Sequence, residues 1–349
     1  MLIRCQGHNA GAKEYLESGV KNGRDHSRDE LDKRIVLSGD LELTASIYEN
    51  IQNNGQDRYL SITLSFKEDD LSIEHLENIT NDYRDFLMSA YERDEYNFYA
   101  EAHLPKIKSL TDNKTVQPIE RKLHIHIIIP KTNLLSGKNL EPVGYPYEKN
   151  VKYWEAIQEK INRKYGLESP RNNIRQGHKS YADILSRYKG DDFKGQYKNM
   201  KESIYNDVVK KNIRSKSEFS ALLRTYGDCR VRNEGKDNEY FAVKPPGHSK
   251  YINLNGRVFA KEFIEERNLS PPELTDKEIQ KRVSEWLTTK SKEIKYIEKS
   301  AKCFRDVYSK SDSSARQKIL KNTSERFYSK YRAGENNEPT RSLYSSEVH

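Results

Sequence analysis

Cysteine is almost absent: Cys5, Cys229 and Cys303 are scattered over 349 residues and form no CxxC pair. That spacing excludes a disulfide framework and a cysteine zinc finger, and it fits reduced thiols. No apolar run approaches the roughly 20 residues that a membrane span needs, and the N-terminus has no apolar signal-peptide core. The expected location is the cytoplasm, with no membrane insertion. A GxxxxGK[ST] phosphate loop is missing, so nothing points to a P-loop helicase domain. No internal repeat is visible.

What the chain has in quantity is charge. Hydrophobic residues make up 34% and charged residues 33%, a balance that suits a thin core and a heavily solvated surface. Sixty-one Lys and Arg against 53 Asp and Glu give a net charge of +8. A basic chain favours polyanionic partners, nucleic acid first. The 23 tyrosines add aromatic faces on which single-stranded bases can stack.

The most informative stretch is Lys122-Leu123-His124-Ile125-His126-Ile127-Ile128-Ile129-Pro130. It reads as a strand that Pro130 ends. Period-2 alternation sends Leu123, Ile125, Ile127 and Ile129 to one face and His124 and His126 to the other. Two imidazoles side by side suit a divalent metal.

Further strands are expected at Leu2–Cys5, at Tyr59–Phe66 and at Tyr96–His103. In the second, Leu60, Ile62, Leu64 and Phe66 alternate with Ser61, Thr63 and Ser65. In the third, Tyr99, Glu101 and His103 share a face. Helical spacing marks residues 10–16, 44–51, 73–91 and 153–165. Residues up to Asp40 read as a polar, charge-dense segment, and 105–120 as an inserted loop. The order predicts an α+β fold: a central antiparallel sheet with helices on one face, leaving a polar face for a flat polyanion. Four regions follow: 1–170 as the main domain, 171–215 as a charged linker or helical segment, 216–270 as a small α+β module, and 271–349 as a charged helical region with a disordered tail.

His103 is the candidate third ligand beside His124 and His126, with Glu101 in reserve. Three neutral imidazoles can hold a divalent ion with positions open to a phosphate oxygen. Such an ion polarises a phosphodiester, and a tyrosine can then attack it to form a phosphotyrosine that conserves the energy of the cleaved bond. Tyr15 stands out by context, on an early helix beside Lys13.

Over residues 10–175 the chain resembles the HUH-type relaxases of conjugative and mobilisable plasmids, nearest the MOB-P group of IncP-like plasmids. Ala12-Lys13-Glu14-Tyr15-Leu16 is similar to the family's tyrosine motif. The strand with Ser61, Thr63 and Ser65 stands where the serine motif lies, and His124-Ile125-His126 matches the HxH. Asn139-Leu140-Glu141-Pro142 and Lys164-Tyr165-Gly166-Leu167 are similar to the stretch that follows. The tyrosine precedes the HxH, as in relaxases, whereas replication initiators place it after. One departure is the insert between His103 and His124, where the family keeps its first histidine close and follows it with an aspartate.

The resemblance implies a DNA relaxase and an HUH relaxase fold. Tyr15 would nick single-stranded DNA at an origin of transfer, leaving a 5′-phosphotyrosyl link, and would later rejoin the strand. His103, His124 and His126 would hold Mn²⁺ or Mg²⁺, with Zn²⁺ also open. Ser61, Thr63, Ser65, Arg121, Lys122 and Lys131 are candidates for contacting DNA. Accessory relaxosome proteins and a type IV coupling protein are the implied partners. Two alternatives remain: a rolling-circle initiator using Tyr296 of Tyr296-Ile297-Glu298-Lys299, and a non-catalytic DNA-binding mobilisation protein.

Overall fold

The computed structural model describes residues 1–19, 26–111, 118–144, 147–171, 193, 196–269, 274–296 and 302–332. The chain divides into two compact units, Met1–Asn172 with Thr275–His349, and Asn173–Leu274.

The first unit is built on a five-stranded sheet. Its strands are β1 (Leu2–His8), β2 (Asp32–Ser38), β3 (Tyr59–Ser65), β4 (Tyr99–Pro105) and β7 (His124–Pro130), in the order β1-β3-β7-β4-β2. Every neighbouring pair is antiparallel. Strands β5 (Ser109–Thr111) and β6 (Pro118–Glu120) form a hairpin where the sequence reads as a loop. The histidine strand is therefore the central one, and Ile125, Ile127, Ile128 and Ile129 are all buried.

Register assigns the two faces. Leu60, Ile62 and Leu64 lie level with Ile129, Ile127 and Ile125, and Ala100 and Ala102 extend that apolar face onto β4. Helix α4 (Ile73–Leu87) and helix α5 (Tyr147–Lys164) supply the apolar layer on this side. Leu76, Ile79, Tyr83, Phe86 and Leu87 of α4 are buried, as are Tyr153, Ala156, Ile157 and Ile161 of α5. Gln158 of α5 accepts a hydrogen bond from the Ile3 amide of edge strand β1 at 2.9 Å.

The opposite face corrects the sequence expectation of helices on one side only. Part of it is apolar: Ile128 of β7 lies level with Tyr99 of β4, and Tyr59 of β3, opposite Pro130, joins them in one cluster. Helix α1 (Ala12–Glu17) and helix α3 (Leu41–Glu49) cover that cluster, burying Ala12, Leu16, Leu41, Ala45 and Tyr48 against it. Leaving those side chains in water would forfeit about 1.5–3 kcal/mol for each large one, so the sheet is covered on both sides. Gly11, at φ +93°, turns the chain from β1 into α1, and the Tyr59 hydroxyl fixes that turn by donating to the Ala10 carbonyl at 2.8 Å. The remainder of the face stays polar and holds the histidines.

The segment read as polar up to Asp40 contains helix α2 (Arg28–Leu31) and edge strand β2. A capping box of Ser27 and Glu30 starts α2.

The charged C-terminal region belongs to this unit. Helix α9 (Asp276–Glu285) continues into a π-helical turn at Trp286–Lys290, which buries Trp286. Its indole donates to the Phe86 carbonyl at 3.2 Å and stacks on Phe86 with ring centroids 5.7 Å apart. Helices α10 (Ser291–Tyr296), α11 (Lys302–Lys310) and α12 (Ser313–Arg332) follow. Buried Glu95 anchors two of them, accepting from Lys295 of α10 and from the Tyr328 hydroxyl of α12. Trp286→Ala is expected to destabilise the first unit by about 3–5 kcal/mol, read as a lower midpoint in urea. The expected disordered tail after Ala333 lies outside the described residues.

The second unit contains helix α6 (Lys198–Lys210), helix α7 (Lys216–Arg224), strands β8 (Asp228–Arg232), β9 (Tyr240–Lys244) and β10 (Ile252–Leu254), and helix α8 (Lys261–Glu266). Its core joins Phe219, Leu222 and Leu223 of α7 to Phe241, Val243, Ile252 and Leu254 of the sheet. Ile204, Tyr205 and Val208 of α6 enter the same core. That part of the segment expected as a charged linker or helical segment is a packed helix, its apolar residues recurring at helical spacing.

Candidate metal and nucleophile site

The register that aligns the strands also assembles the site. His103 of β4 lies directly opposite His124 of β7, and Glu101 lies opposite His126. On the other side of β7, Thr63 pairs with His126 and Ser65 with His124. All six side chains therefore share one face. The ring centroids of His103, His124 and His126 are 4.8–5.0 Å apart, and their candidate ligand atoms lie within 4.8 Å of one another. Nitrogens bound to one ion at about 2.1 Å stand roughly 3–3.5 Å apart, so small rotations of the rings would close the triad.

Each ring keeps a nitrogen available, and hydrogen bonds occupy the other one in His103 and His124. His124 donates from Nδ1 to the Lys122 carbonyl at 2.8 Å, which leaves Nε2. His103 donates from Nε2 to Glu101, which leaves Nδ1 buried with no partner. His126 Nε2 is likewise buried with no partner. A buried polar atom without a partner costs about 1–3 kcal/mol, and a metal ion would satisfy both. The donor set thus fits a divalent ion, and the orphaned nitrogens identify the atoms that would hold it.

Protonation agrees. Burial drives His124 down to about 4, against the Lys122 hydrogen bond and with help from the neighbouring His103. Burial, then the charges of His124 and His103, sets His126 well below its usual value. Neutral imidazoles are the ligand form. These depressed values also set a pH dependence. The unfolded chain binds protons near pH 6.5 and the folded one does not, so stability is full above that value and falls as pH drops towards 4. The metal-free protein is expected to melt roughly 5 °C lower at pH 5 than at pH 7.5, by differential scanning calorimetry.

Glu101, the reserve ligand, has a different place. It is fully buried and accepts from Arg34 Nη2 at 2.9 Å, from the Tyr99 hydroxyl at 2.5 Å and from His103. Burial alone would raise its pKa, but the hydrogen bonds from His103, Arg34 and Tyr99 outweigh it and hold the carboxyl at about 2. It is a carboxylate that fixes the tautomer and tilt of a candidate ligand histidine. Glu101→Gln is expected to weaken metal affinity about 10–100-fold, measured by competition with a chromogenic chelator.

Tyr15 comes to the same place from α1. Its ring meets that of His126 edge-on, with centroids 5.5 Å apart. Arg28 holds it: the guanidinium lies 4.7 Å from the ring centroid, and Nη2 donates to the Tyr15 carbonyl at 3.0 Å. Arg28 is itself buried and donates to Asp32 at 2.9 Å. Asp32, also buried, stands 3.9 Å from the orphaned Nδ1 of His103. Burial works to raise the Asp32 pKa, yet the Arg28 and Arg121 hydrogen bonds hold it below the ordinary value.

The other candidates separate. Thr63 and Ser65 flank the histidines, and Ser61 lies one pair further along, opposite Ile128. All three are half-buried. Arg121 is committed inward, donating to both oxygens of Asp32 at 2.6 and 2.7 Å and to the Leu31 and Ile107 carbonyls. Its role here is to hold Asp32. Lys122 is half-buried and pairs with Glu120 and Asp69. Lys131 follows the far end of β7, about 16 Å along the strand from His126, and pairs with Glu141 at 3.0 Å. Tyr296 ends α10, and its side chain lies outside the described residues.

The sequence alone does not single out Asp32, Arg28 or Arg34 as site residues. Their signals were the capping box before Arg28 and the alternation of Asp32, Arg34 and Val36 on β2. Consecutive Ile35, Val36 and Leu37 obscured that alternation.

No helix among the described residues is long and apolar enough to cross a membrane. No protein-family model matches the chain, and no solved structure matches it. The chain is similar to a protein described as "Cryptic plasmid protein C" from Neisseria gonorrhoeae, with 25% identity over 185 residues, covering 53% of this chain and 77% of the relative.

Proposed function

We propose that the chain is a plasmid DNA relaxase of the HUH type, nicking and rejoining a single strand at an origin of transfer. The observation that carries this reading is the placement of Tyr15 against His126, on the face that gathers three metal-competent histidines. The antiparallel sheet with its central HxH strand supports the relaxase fold, and likeness to a plasmid protein supports the setting.

The chemistry follows from the residues. His103 Nδ1, His124 Nε2 and His126 Nε2 would hold a divalent ion, which would supply Lewis-acid polarisation of the scissile phosphate. Arg28 and the His126 ring orient the Tyr15 phenol towards that position. The Tyr15 phenol loses its proton to solvent as its oxygen attacks phosphorus; the P–O3′ bond breaks, and the 3′ oxygen takes up a proton as a 3′-hydroxyl. The 5′-phosphotyrosine so formed is open to the reverse attack by a 3′-hydroxyl, which rejoins the strand. Thr63, Ser65 and Ser61 offer hydroxyl donors to the flanking phosphates. Accessory relaxosome proteins and a type IV coupling protein, in a bacterial cytoplasm, complete the proposed setting.

Denaturing electrophoresis of the protein with labelled origin-region strands tests the reading. A covalent band that requires Mn²⁺ or Mg²⁺ is the expected result. Tight binding without a band on any origin strand would favour a non-catalytic DNA-binding protein.

A further inference from the structure

The positive charge of the chain is concentrated. Lys and Arg outnumber Asp and Glu by 20 to 14 within residues 173–274, against 41 to 39 in the rest. The second unit thus carries six of the eight net charges, although the histidine site lies in the first.

Register shows where part of that charge is displayed. One face of the β8-β9-β10 sheet carries Val231, Phe241, Val243, Ile252 and Leu254 into the core. The other carries Arg230, Arg232, Lys244 and Asn253, together with Tyr240, the methyl of Ala242 and Asp228. Tyr251 stands just before β10 on that outer face, and its hydroxyl donates to Asp228, the one carboxylate among the paired strand residues of that face. The Arg230 guanidinium lies 3.5 Å from the centroid of the Tyr251 ring, and its Nε is buried with no partner. Lys244 Nζ is 5.7 Å from the same ring, and Arg232 and Asn253 are exposed at the two edges.

We propose that this outer face is a second nucleic-acid site, a stacking platform for single-stranded DNA. The Arg230–Tyr251 pair offers a flat π surface on which an unpaired base can lie, while Arg232 and Lys244 meet the flanking phosphates. Bases in a duplex already have both faces covered by their neighbours, so a stacking surface selects single strands. Asn253 adds a donor and an acceptor for a base edge. The proposal is independent of any cleavage chemistry.

The test uses the full chain carrying Tyr15→Phe, in chelator, so that cleavage and metal play no part. Binding of a labelled 20-nucleotide oligothymidine is followed by fluorescence anisotropy between 50 and 200 mM salt. Arg232→Glu with Lys244→Glu is expected to weaken binding at least about tenfold, and to flatten the plot of log affinity against log salt by about 1.4. Tyr251→Ala is expected to weaken it about tenfold, with Tyr251→Trp retaining affinity. Unchanged circular dichroism checks that each variant is folded. Unchanged affinity and slope in the charge variant would overturn the proposal, as would tighter binding of a duplex of equal length. Cleavage is scored separately on the chain with Tyr15 intact, so failure of the relaxase reading leaves this result standing.

Discussion

Tyr15→Phe is expected to abolish the covalent protein–DNA adduct, a loss of at least about 10³-fold in rate, while single-stranded DNA binding stays within about twofold. The size follows from the role: without the phenolic oxygen no phosphotyrosine can form, and water is left as a poor substitute nucleophile. The substitution is also gentle. Phenylalanine keeps the edge-on contact with His126 and the ring beneath the Arg28 guanidinium, so α1 has no reason to move. A single-turnover gel assay measures the rate, and an anisotropy titration measures the binding. A band that persists in the variant would assign the nucleophile to another tyrosine.

His126→Ala is expected to have the second largest effect, at the metal. Titration calorimetry with Mn²⁺ or Zn²⁺ should show about one ion per wild-type chain and a loss of at least about 100-fold in affinity in the variant. His126 is buried, neutral and presents an orphaned Nε2 to the other two rings. Removing it leaves two ligands, and most of the chelate advantage is lost. The fold should survive, because the imidazole makes no hydrogen bond through that nitrogen and alanine removes an unsatisfied buried group. Unchanged affinity would mean that the three histidines pack against each other and hold no ion.

Much of this site is legible in one strand of sequence. Alternation in residues 122–130 puts His124 and His126 on one face, and the same parity puts Glu101 and His103 together on β4. The register that brings His103 level with His124 is a tertiary fact, and the hairpin between the strands leaves it intact. What alternation alone hides is the cover on the histidine face. Ile128 interrupts the pattern, and an unbroken Ile127-Ile128-Ile129 run is the mark of a strand buried on both sides. Taken with Tyr59 and Tyr99, it points to the apolar cluster that α1 and α3 cover, and so to how Tyr15 is delivered. The carboxylates were harder to place. Asp32 and Glu101 are charged residues at the sheet's polar positions, and only the contacts of Arg28, Arg34 and Arg121 show that they are buried supports. Arg121 looked free for DNA for the same reason: a basic residue at a strand end is usually solvated, and this one is turned inward.

The most direct measurement is the identity of the residue that carries the nucleotide. The adduct formed on an origin strand would be digested with nuclease and trypsin, and the nucleotidyl peptide sequenced by mass spectrometry. The expected product is the peptide from Glu14 to Lys21, modified on Tyr15. A nucleotide on the peptide from Tyr296 to Lys299 would contradict it and point to an initiator, and an unmodified digest would contradict a tyrosine nuclease altogether.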